Sequence, residues 1–171
     1  MNNQIEETYA NITNFPNYQV STFGNVKNIK TGRILKPAPG GGSYLMVILM
    51  DDGERSNKKI HKLVANAFLE NTEDKKCVDH VDHDRKNNHL LNLRWATHTE
   101  NAQNALIKST NTSGVIGVCW YKPTSKWYAQ IRINGKNKNL GYFVNKDDAI
   151  TARRNAEIQY FGEYRAIIQD A

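Results

Sequence analysis

The sequence predicts an α+β chain assembled from several small modules, and three observations predict it. Residues 18–50 alternate short apolar runs with turn residues, residues 77–101 read as strand, loop, strand and helix, and residues 113–164 hold three strand patterns followed by one helix. With 171 residues there is room for one ordinary domain or for two to three small ones, each burying a modest core. Hydrophobic residues at 39%, charged residues at 23% and a mean hydropathy of -0.67 describe a water-soluble chain, neither membrane-embedded nor disordered.

In the first module, assigned to residues 1–58, the turn signals are F-G-N at 23–25, T-G at 31–32 and P-A-P-G-G-G at 37–42, so a small antiparallel β module is expected. Residues 44–50, YLMVILM, have the length and branching of a buried strand, and Asp51-Asp52-Gly53 turns the chain towards a second arm. Ile60, Leu63, Val64, Ala67 and Phe68 recur at i, i+3, i+4, i+7 and i+8, one face of a helix packed on that sheet; His61 beside the stripe reads as structural. After a polar stretch at 71–76, residues 77–80 suit a strand, 82–88 a polar loop, and 91–96 a second strand. Thr97 or Thr99 then caps a helix containing Asn101. Residues 103–112 read as a linker. The tail, 113–171, offers strands at 115–121, 126–133 and 138–143, with turns at 122–125 and Asn134-Gly135. Asn145 with Asp148 three residues on marks the start of its closing helix, and Gly162 marks the end; Ala149, Ala152, Ala156 and Tyr160 share a face.

Charge is unevenly spread along this frame. The formal net charge is +6 and the pI about 9.3, which favours a polyanionic partner. Residues 1–70 carry +2 (eight basic against six acidic), 71–102 carry −1 (five against six), and 103–171 carry +5 (ten against five). A locally acidic centre between basic flanks suits phosphodiester cutting, in which carboxylates hold a cation while lysines and arginines hold phosphates. Cys77 and Cys119 are far apart and form no C-x-x-C pair, so neither a disulfide framework nor a zinc site is indicated, and both are expected to stay free thiols inside a cell. The longest apolar run is too short to cross a bilayer, and the opening MNNQIEETYA has no basic flank or apolar stretch, so a cytoplasmic protein without membrane contact is expected.

The segment CVDHVDHDRKNNHLLNLRWATHTEN, residues 77–101, concentrates the side chains that cutting a phosphodiester with one metal requires. Asp79 offers an anionic oxygen and Asn101 an amide oxygen, a set suited to a single Mg²⁺ or Mn²⁺. His80 is the candidate general base. Asn92 could hold the loop or polarise His80, and Arg94 alternates outward where a phosphate would lie. Taken singly each residue has a plain alternative: an Asp-His pair is commonly a surface turn, and His83, His89 and His98 sit in loop or cap positions as solvated residues. Adjacent strand residues also point to opposite faces, so Asp79 and His80 can serve one site only if the backbone twists or bulges.

Together these residues follow the pattern D-H-x-D-x-[DR]-x-x-N-N-x-x-x-N-L-R-W-x-T-x-x-x-N, which resembles the ββα-metal core of phage and intron HNH homing endonucleases. The resemblance implies that Asp79 and Asn101 ligate the metal, that His80 activates water and that Asn92 orients His80. The last letter is often His in that family and is Asn101 here. FPNYQVSTFGNVKN likewise resembles the NUMOD-type motif placed before such nucleases. The stretch GVCWYKPTSKWYAQIRINGKNKNLGYF with its alanine-rich helix resembles the Apetala and ethylene-response-factor DNA-binding domain, although Cys119 and Tyr121 stand where that family usually has arginines. In that fold the sheet enters the major groove. Alternation turns Trp127, Ala129, Ile131 and Ile133 towards the helix and Tyr128, Gln130 and Arg132 outward, with Tyr121, Lys126, Asn137 and Asn139 extending the outer face and Lys126, Lys136 and Lys138 neutralising phosphate.

The expected division is therefore residues 1–58, a nuclease core at 59–102, a linker at 103–112 and a DNA-binding domain at 113–171. The expected activity is hydrolysis of double-stranded DNA to 5′-phosphate and 3′-hydroxyl ends by a monomer or homodimer. Two other readings stay open at this point: a non-catalytic DNA-binding regulator on the same scaffold, and a structure-selective or RNA nuclease.

Overall fold

A computed structural model describes residues 6–105, 107 and 109–165. Residues 106 and 108 of the expected linker, and the ends of the first and last expected modules, lie outside the described residues. The chain divides into two compact units, residues 1–98 and 99–171.

In the first unit, β1 (Tyr9–Ile12), β2 (Phe15–Ser21) and β3 (Val26–Asn28) form an antiparallel sheet in that order. A second sheet holds β4 (Ala38–Pro39), β5 (Leu45–Asp51) and β6 (Glu54–Lys59), and β7 (Cys77–His80) pairs with β8 (Leu93–Ala96). Between β6 and β7 lies α1 (Ile60–Phe68). Helix α1 starts directly from β6, with no side-chain cap at Lys59, and stops where Leu69 turns extended and donates its N–H to the Ala65 carbonyl at 2.9 Å. Packing, not capping, sustains so short a helix. Its Ile60, Leu63, Val64 and Ala65 are buried in one cluster with Val20 and Val26 of the first sheet, Val47 and Leu49 of the second, and Val78 and Leu93 of the β7-β8 hairpin.

Several local expectations shift for identifiable reasons. Strand β5 is buried on one face only: Val47 and Leu49 turn inward while Ile48 and Met50 stay exposed, as in an antiparallel sheet covered on one side. The proline- and glycine-rich segment read as a turn contains β4, whose Pro39 is tolerated because β4 is an edge strand. Strand β1 and the start of β2 precede Tyr18 and are joined by Asn14 at φ 66°, in text too polar to read as strand. Strand β8 begins at Leu93, because residues 90–92 form a 3-10 turn, while the Asn92 carbonyl still accepts the Val81 N–H at 2.9 Å.

The F-G-N turn anchors the first sheet to the loop between β7 and β8. Gly24 has φ +83°, and a Cβ there would lie 2.8 Å from the Asn88 Cβ. On either side of it, the Leu90 N–H donates to the Thr22 carbonyl at 2.7 Å and Phe23 stacks on His89 with ring centroids 4.7 Å apart.

Helix α2 (His98–Gln103) crosses from the first unit into the second. The second unit then contains β9 (Val118–Tyr121), β10 (Lys126–Ile133) and β11 (Lys136–Phe143), an antiparallel sheet in the order β11-β10-β9, followed by α3 (Lys146–Phe161). Asn134 and Gly135 both have positive φ, 48° and 77°, the backbone of a tight two-residue hairpin turn. Val118, Ala129 and Ile131 face Ala149 and Ala156 of α3, whose small side chains let helix and sheet approach closely. Strand β9 starts later than expected because residues 113–117 turn tightly: Ser113 Oγ donates to the Val115 carbonyl at 2.8 Å, and Gly117, at φ +81°, sits where a Cβ would strike the Gln130 carbonyl. Asn145 is the N-cap of α3, yet its side chain makes no capping bond; its Nδ2 donates instead to the Asp148 carboxylate at 3.3 Å. Arg153 is buried in this small core, donating to the Gln130 carbonyl at 3.1 Å and pairing with Glu157 at 3.0 Å. Among the described residues no helix is long and apolar enough to cross a membrane.

If α1 holds the first unit together, Ile60→Ala should lower its unfolding free energy by about 2–5 kcal/mol, measured by urea denaturation. Gly24→Ala, which combines a positive φ with a close approach, should cost at least about 1–2 kcal/mol in the same assay.

Candidate active site

The β7-β8 hairpin presents Asp79 and His80 on opposite sides of one strand. Asp79 lies opposite Arg94 and His80 opposite Leu93 in the ladder. Both side chains are buried, at 4% and 5% exposure, far below what a surface turn would show. The Nε and Nη2 of Arg94 donate to Asp79 Oδ2 at 2.9 and 2.7 Å. Arg94 was expected to lie outward against phosphate; in the folded chain its guanidinium fixes the Asp79 carboxylate.

On the other side, the His80 ring lies edge-on to His61, 5.0 Å between centroids, and 5.9 Å from the ring of Tyr44, which itself packs 4.6 Å from His61. Burial pushes the His80 pKa below the ordinary imidazole value, and the neighbouring Asn88 side chain with the carboxylates of Asp82, Asp79 and Asp84 pulls the other way without overcoming it. The imidazole is therefore neutral near pH 7, as a proton acceptor must be. His61 is pushed further, down to about 3, by burial first and then by His80, Lys59 and Lys62, and its Nδ1 is buried with no hydrogen-bond partner among the described residues. Lys59 Nζ sits 4.5 Å over the Tyr44 ring and the Arg85 guanidinium 5.1 Å from it, placing two cations at the rim of this aromatic cluster.

Asn92 orders the loop that follows β7. Its Oδ1 accepts from the Asp82 N–H at 2.9 Å, and its Nδ2 donates to Asp82 Oδ1 and to the Asn87 carbonyl, both at 2.8 Å. Burial raises the Asp82 pKa, but the hydrogen bonds from Asn87, Asn92 and the Asp84 backbone outweigh it and leave the group below its ordinary value. Of the two roles expected for Asn92, these contacts match holding the loop, while Asn88 is the amide beside His80. Sequence pattern alone does not mark Asn88, Tyr44 or His61 as site residues. His61 was visible, but an imidazole beside an apolar helix stripe reads as packing until a second ring is known to face it. His89 is structural, stacked on Phe23 and accepting the Leu91 N–H at 3.3 Å, and His98 Nδ1 lies 3.2 Å from Cys77 Sγ. Asn101 occupies the fourth position of α2, beyond the unit boundary and half-buried.

The donors around β7 are carboxylates, with no cysteine pair, and among the described residues no three His, Cys, Asp or Glu side chains converge. Carboxylate oxygen is a ligand type suited to a hard divalent cation.

In the second unit, register separates the expected DNA-contacting residues by face. Tyr128, Gln130 and Arg132 pair with Tyr142, Asn139 and Asn137, and Lys126 with Tyr121, all on the face away from α3. Lys136 and Lys138 pair with Ile133 and Ile131 and so leave on the helix side, where Lys138 Nζ donates to Tyr160 Oη at 2.6 Å. Arg132 Nε donates to the Gly135 carbonyl at 3.2 Å.

The folded pKa of His61 lies below its unfolded value near 6.5, so the unfolded chain takes up that proton first and stability drains away as pH falls from 6.5 towards 3. Urea denaturation between about pH 7 and 5 should show wild-type stability falling with acid. His61→Gln should flatten that slope by roughly 1 kcal/mol per pH unit over this window, rising towards the one-proton limit of about 1.4 at its acid end.

Comparison with known proteins places this hairpin within a matched family region. The family described as HNH endonuclease matches residues 58–103, and the NUMOD4 motif matches residues 7–49. An uncharacterized HNH endonuclease of Acanthamoeba polyphaga mimivirus is 43% identical over 97 residues, covering 56% of this chain and 24% of its own length. DNA endonuclease I-HmuI of Bacillus phage SP01 is 38% identical over 93 residues, 54% of this chain and 53% of that one. This chain thus spans from about a quarter to about half the length of these curated relatives. A solved structure of the HNH homing endonuclease I-HmuI, described in terms of its DNA binding and cleavage, matches with a TM-score of 0.55 at 30% identity, over 77% of this chain and 76% of that one. HNH endonucleases generally use a divalent metal ion. The Asp79-His80 hairpin falls inside the matched region and the likeness extends over three quarters of a solved relative, so the chain belongs to the HNH endonuclease family.

Proposed function

We propose that this protein is a site-specific DNA endonuclease of the homing type, cutting double-stranded DNA with one Mg²⁺ or Mn²⁺ per site. The observation that carries the reading is the buried Asp79-His80 pair on β7, a carboxylate held by Arg94 on one side of the strand and, on the other, an imidazole kept neutral by burial. Asp79 and Asn101 would hold the cation, whose positive charge would offset the negative charge that builds up as the phosphodiester is cut. His80 takes a proton from the attacking water; a new P–O bond forms as the bond to the 3′-oxygen breaks, giving a 5′-phosphate and a 3′-hydroxyl once that oxygen is protonated from solvent. Asn92 keeps the loop from Val81 to His89 in register so that the imidazole keeps its orientation. Lys59 and Arg85 at the rim meet phosphates, while Arg94 holds Asp79.

The division of labour belongs to the same proposal. Residues 1–58 grip DNA beside the core at 59–102, residues 103–112 link the two units, and the domain at 113–171, like an Apetala-type module, docks on duplex through Gln130, Arg132, Asn137 and Asn139, with Lys126 on phosphate and Lys136 and Lys138, which leave on the helix side, outside the docked face. With one active site per chain, a monomer nicks one strand and a homodimer makes a double-strand break. The proposed setting is a phage gene acting inside a bacterial host cell.

Plasmid nicking is the direct test. Wild-type protein with Mg²⁺ or Mn²⁺ should relax supercoiled DNA and lose that activity in excess EDTA. His80→Ala should cut about 10²–10⁴ times more slowly while still shifting DNA in a gel. Binding without nicking by the wild type under both metals would instead identify a non-catalytic DNA-binding regulator.

A further inference from the structure

The outer face of the second unit's sheet has two chemically different ends. At one end are the polar pairs Gln130-Asn139 and Arg132-Asn137. At the other, three tyrosines meet across three strands: Tyr128 and Tyr142 are direct cross-strand partners with ring centroids 4.9 Å apart, and Tyr121 of β9 lies 5.3 Å from Tyr142 and 6.3 Å from Tyr128. Tyr121 and Tyr142 are exposed, at 39% and 44%, and none of the three rings enters either apolar cluster against α3. Exposed contiguous aromatic surface is not what a solvated sheet face needs.

Charge narrows the occupant. Between residues 113 and 146 there are six lysines and arginines and no aspartate or glutamate. Lys126 stands opposite Tyr121 on the same face. On the outer face the charged side chains of the three strands are Lys126 and Arg132, since Lys136 and Lys138 leave on the helix side, and a strand surface with cations and no carboxylate complements a polyanion and disfavours the mixed-charge surface of most proteins. Within nucleic acid, the chemistry of the ring decides further. A duplex groove offers base edges, which polar side chains read, while the base faces are already stacked on one another. Phenol faces gain most from bases that have left the stack, and such stacking is tolerant of sequence.

We propose that Tyr121, Tyr128 and Tyr142 form a stacking platform for unpaired bases of single-stranded DNA, adjoining the polar end of the same sheet. The choice of DNA rests on the endonuclease reading above; the platform itself rests on ring geometry and charge. The sheet then holds a boundary between paired and unpaired strand, with duplex at the Gln130-Arg132 end and unwound bases at the tyrosine end.

The test uses the full chain in EDTA, with fluorescence anisotropy of labelled oligo(dT) of about sixteen nucleotides, a duplex of equal length and an RNA of the same sequence. The double variant Tyr128→Ala/Tyr142→Ala should weaken oligo(dT) binding at least about tenfold while duplex binding stays within about threefold. Tyr128→Phe/Tyr142→Phe should keep both, since stacking needs the ring and not the hydroxyl, and Gln130→Ala/Arg132→Ala should weaken duplex binding in preference. Parallel loss of duplex and single-strand binding in the alanine double variant, with an unchanged thermal melt, would overturn the platform in favour of groove docking. Unchanged oligo(dT) binding would overturn it outright, and so would a change of oligomeric state on sedimentation in place of a binding defect. RNA bound more tightly than oligo(dT) would overturn the assignment to DNA. Wild-type nicking with Mg²⁺ is measured alongside: its absence sinks the endonuclease reading and leaves the single-strand comparison intact, whereas its presence with no tyrosine effect sinks the platform alone.

Discussion

The first unit depends on the burial of one nine-residue helix. Each of its three sheets is too small to bury a core of its own: the first supplies five buried apolar side chains to the common cluster and the other two supply two each. Helix α1 gives them a shared partner, at roughly 1.5–3 kcal/mol for each large aliphatic side chain taken out of water. Because α1 lacks a side-chain cap, the dependence is mutual: the sheets hold the helix as much as the helix holds them. The same packing sets the site, since His61 on α1 meets His80 on β7 only while both elements rest on Val64, Val78 and Leu93.

Around that core the chain buries polar groups that a purely structural fold would avoid. Asp79 is matched by two hydrogen bonds from Arg94, so its desolvation is offset within the hairpin. The two imidazoles are accommodated differently, by staying neutral, and His61 carries a buried ring nitrogen without a partner among the described residues. A buried unsatisfied nitrogen costs on the order of 1–3 kcal/mol. That expense is concentrated within one ring contact of the proposed general base, which is where a fold tolerates strain in exchange for chemistry.

The second unit solves a different problem with similar means. A three-stranded sheet needs one cover, and α3 provides it with alanines at the contact and a buried Arg153-Glu157 pair tied to the Gln130 carbonyl. The opposite face is left to carry tyrosines, amides and cations. Strand alternation makes this division: the β10 residues that face α3 pair with Lys136 and Lys138, so those two lysines cannot share a surface with Tyr128 and Arg132.

Sequence by itself determined the order of modules, α1, the β7-β8 hairpin, the Asn134-Gly135 turn and the candidate residues Asp79, His80, Asn92 and Asn101, because periodicity, turn chemistry and motif spacing are properties of neighbouring residues. It placed residue types without their partners. Only the tertiary structure decided that Arg94 clasps Asp79, that Asn92 bonds the loop while Asn88 lies beside His80, and that Tyr44 and His61 frame the imidazole. It likewise decided that Pro39 sits on an edge strand and that Gly24 must be glycine for Asn88 to approach. Tyr44 and His80 are 36 residues apart in the chain, yet their rings lie 5.9 Å apart. No local pattern encodes that distance; it follows from how α1 draws three sheets onto one apolar face.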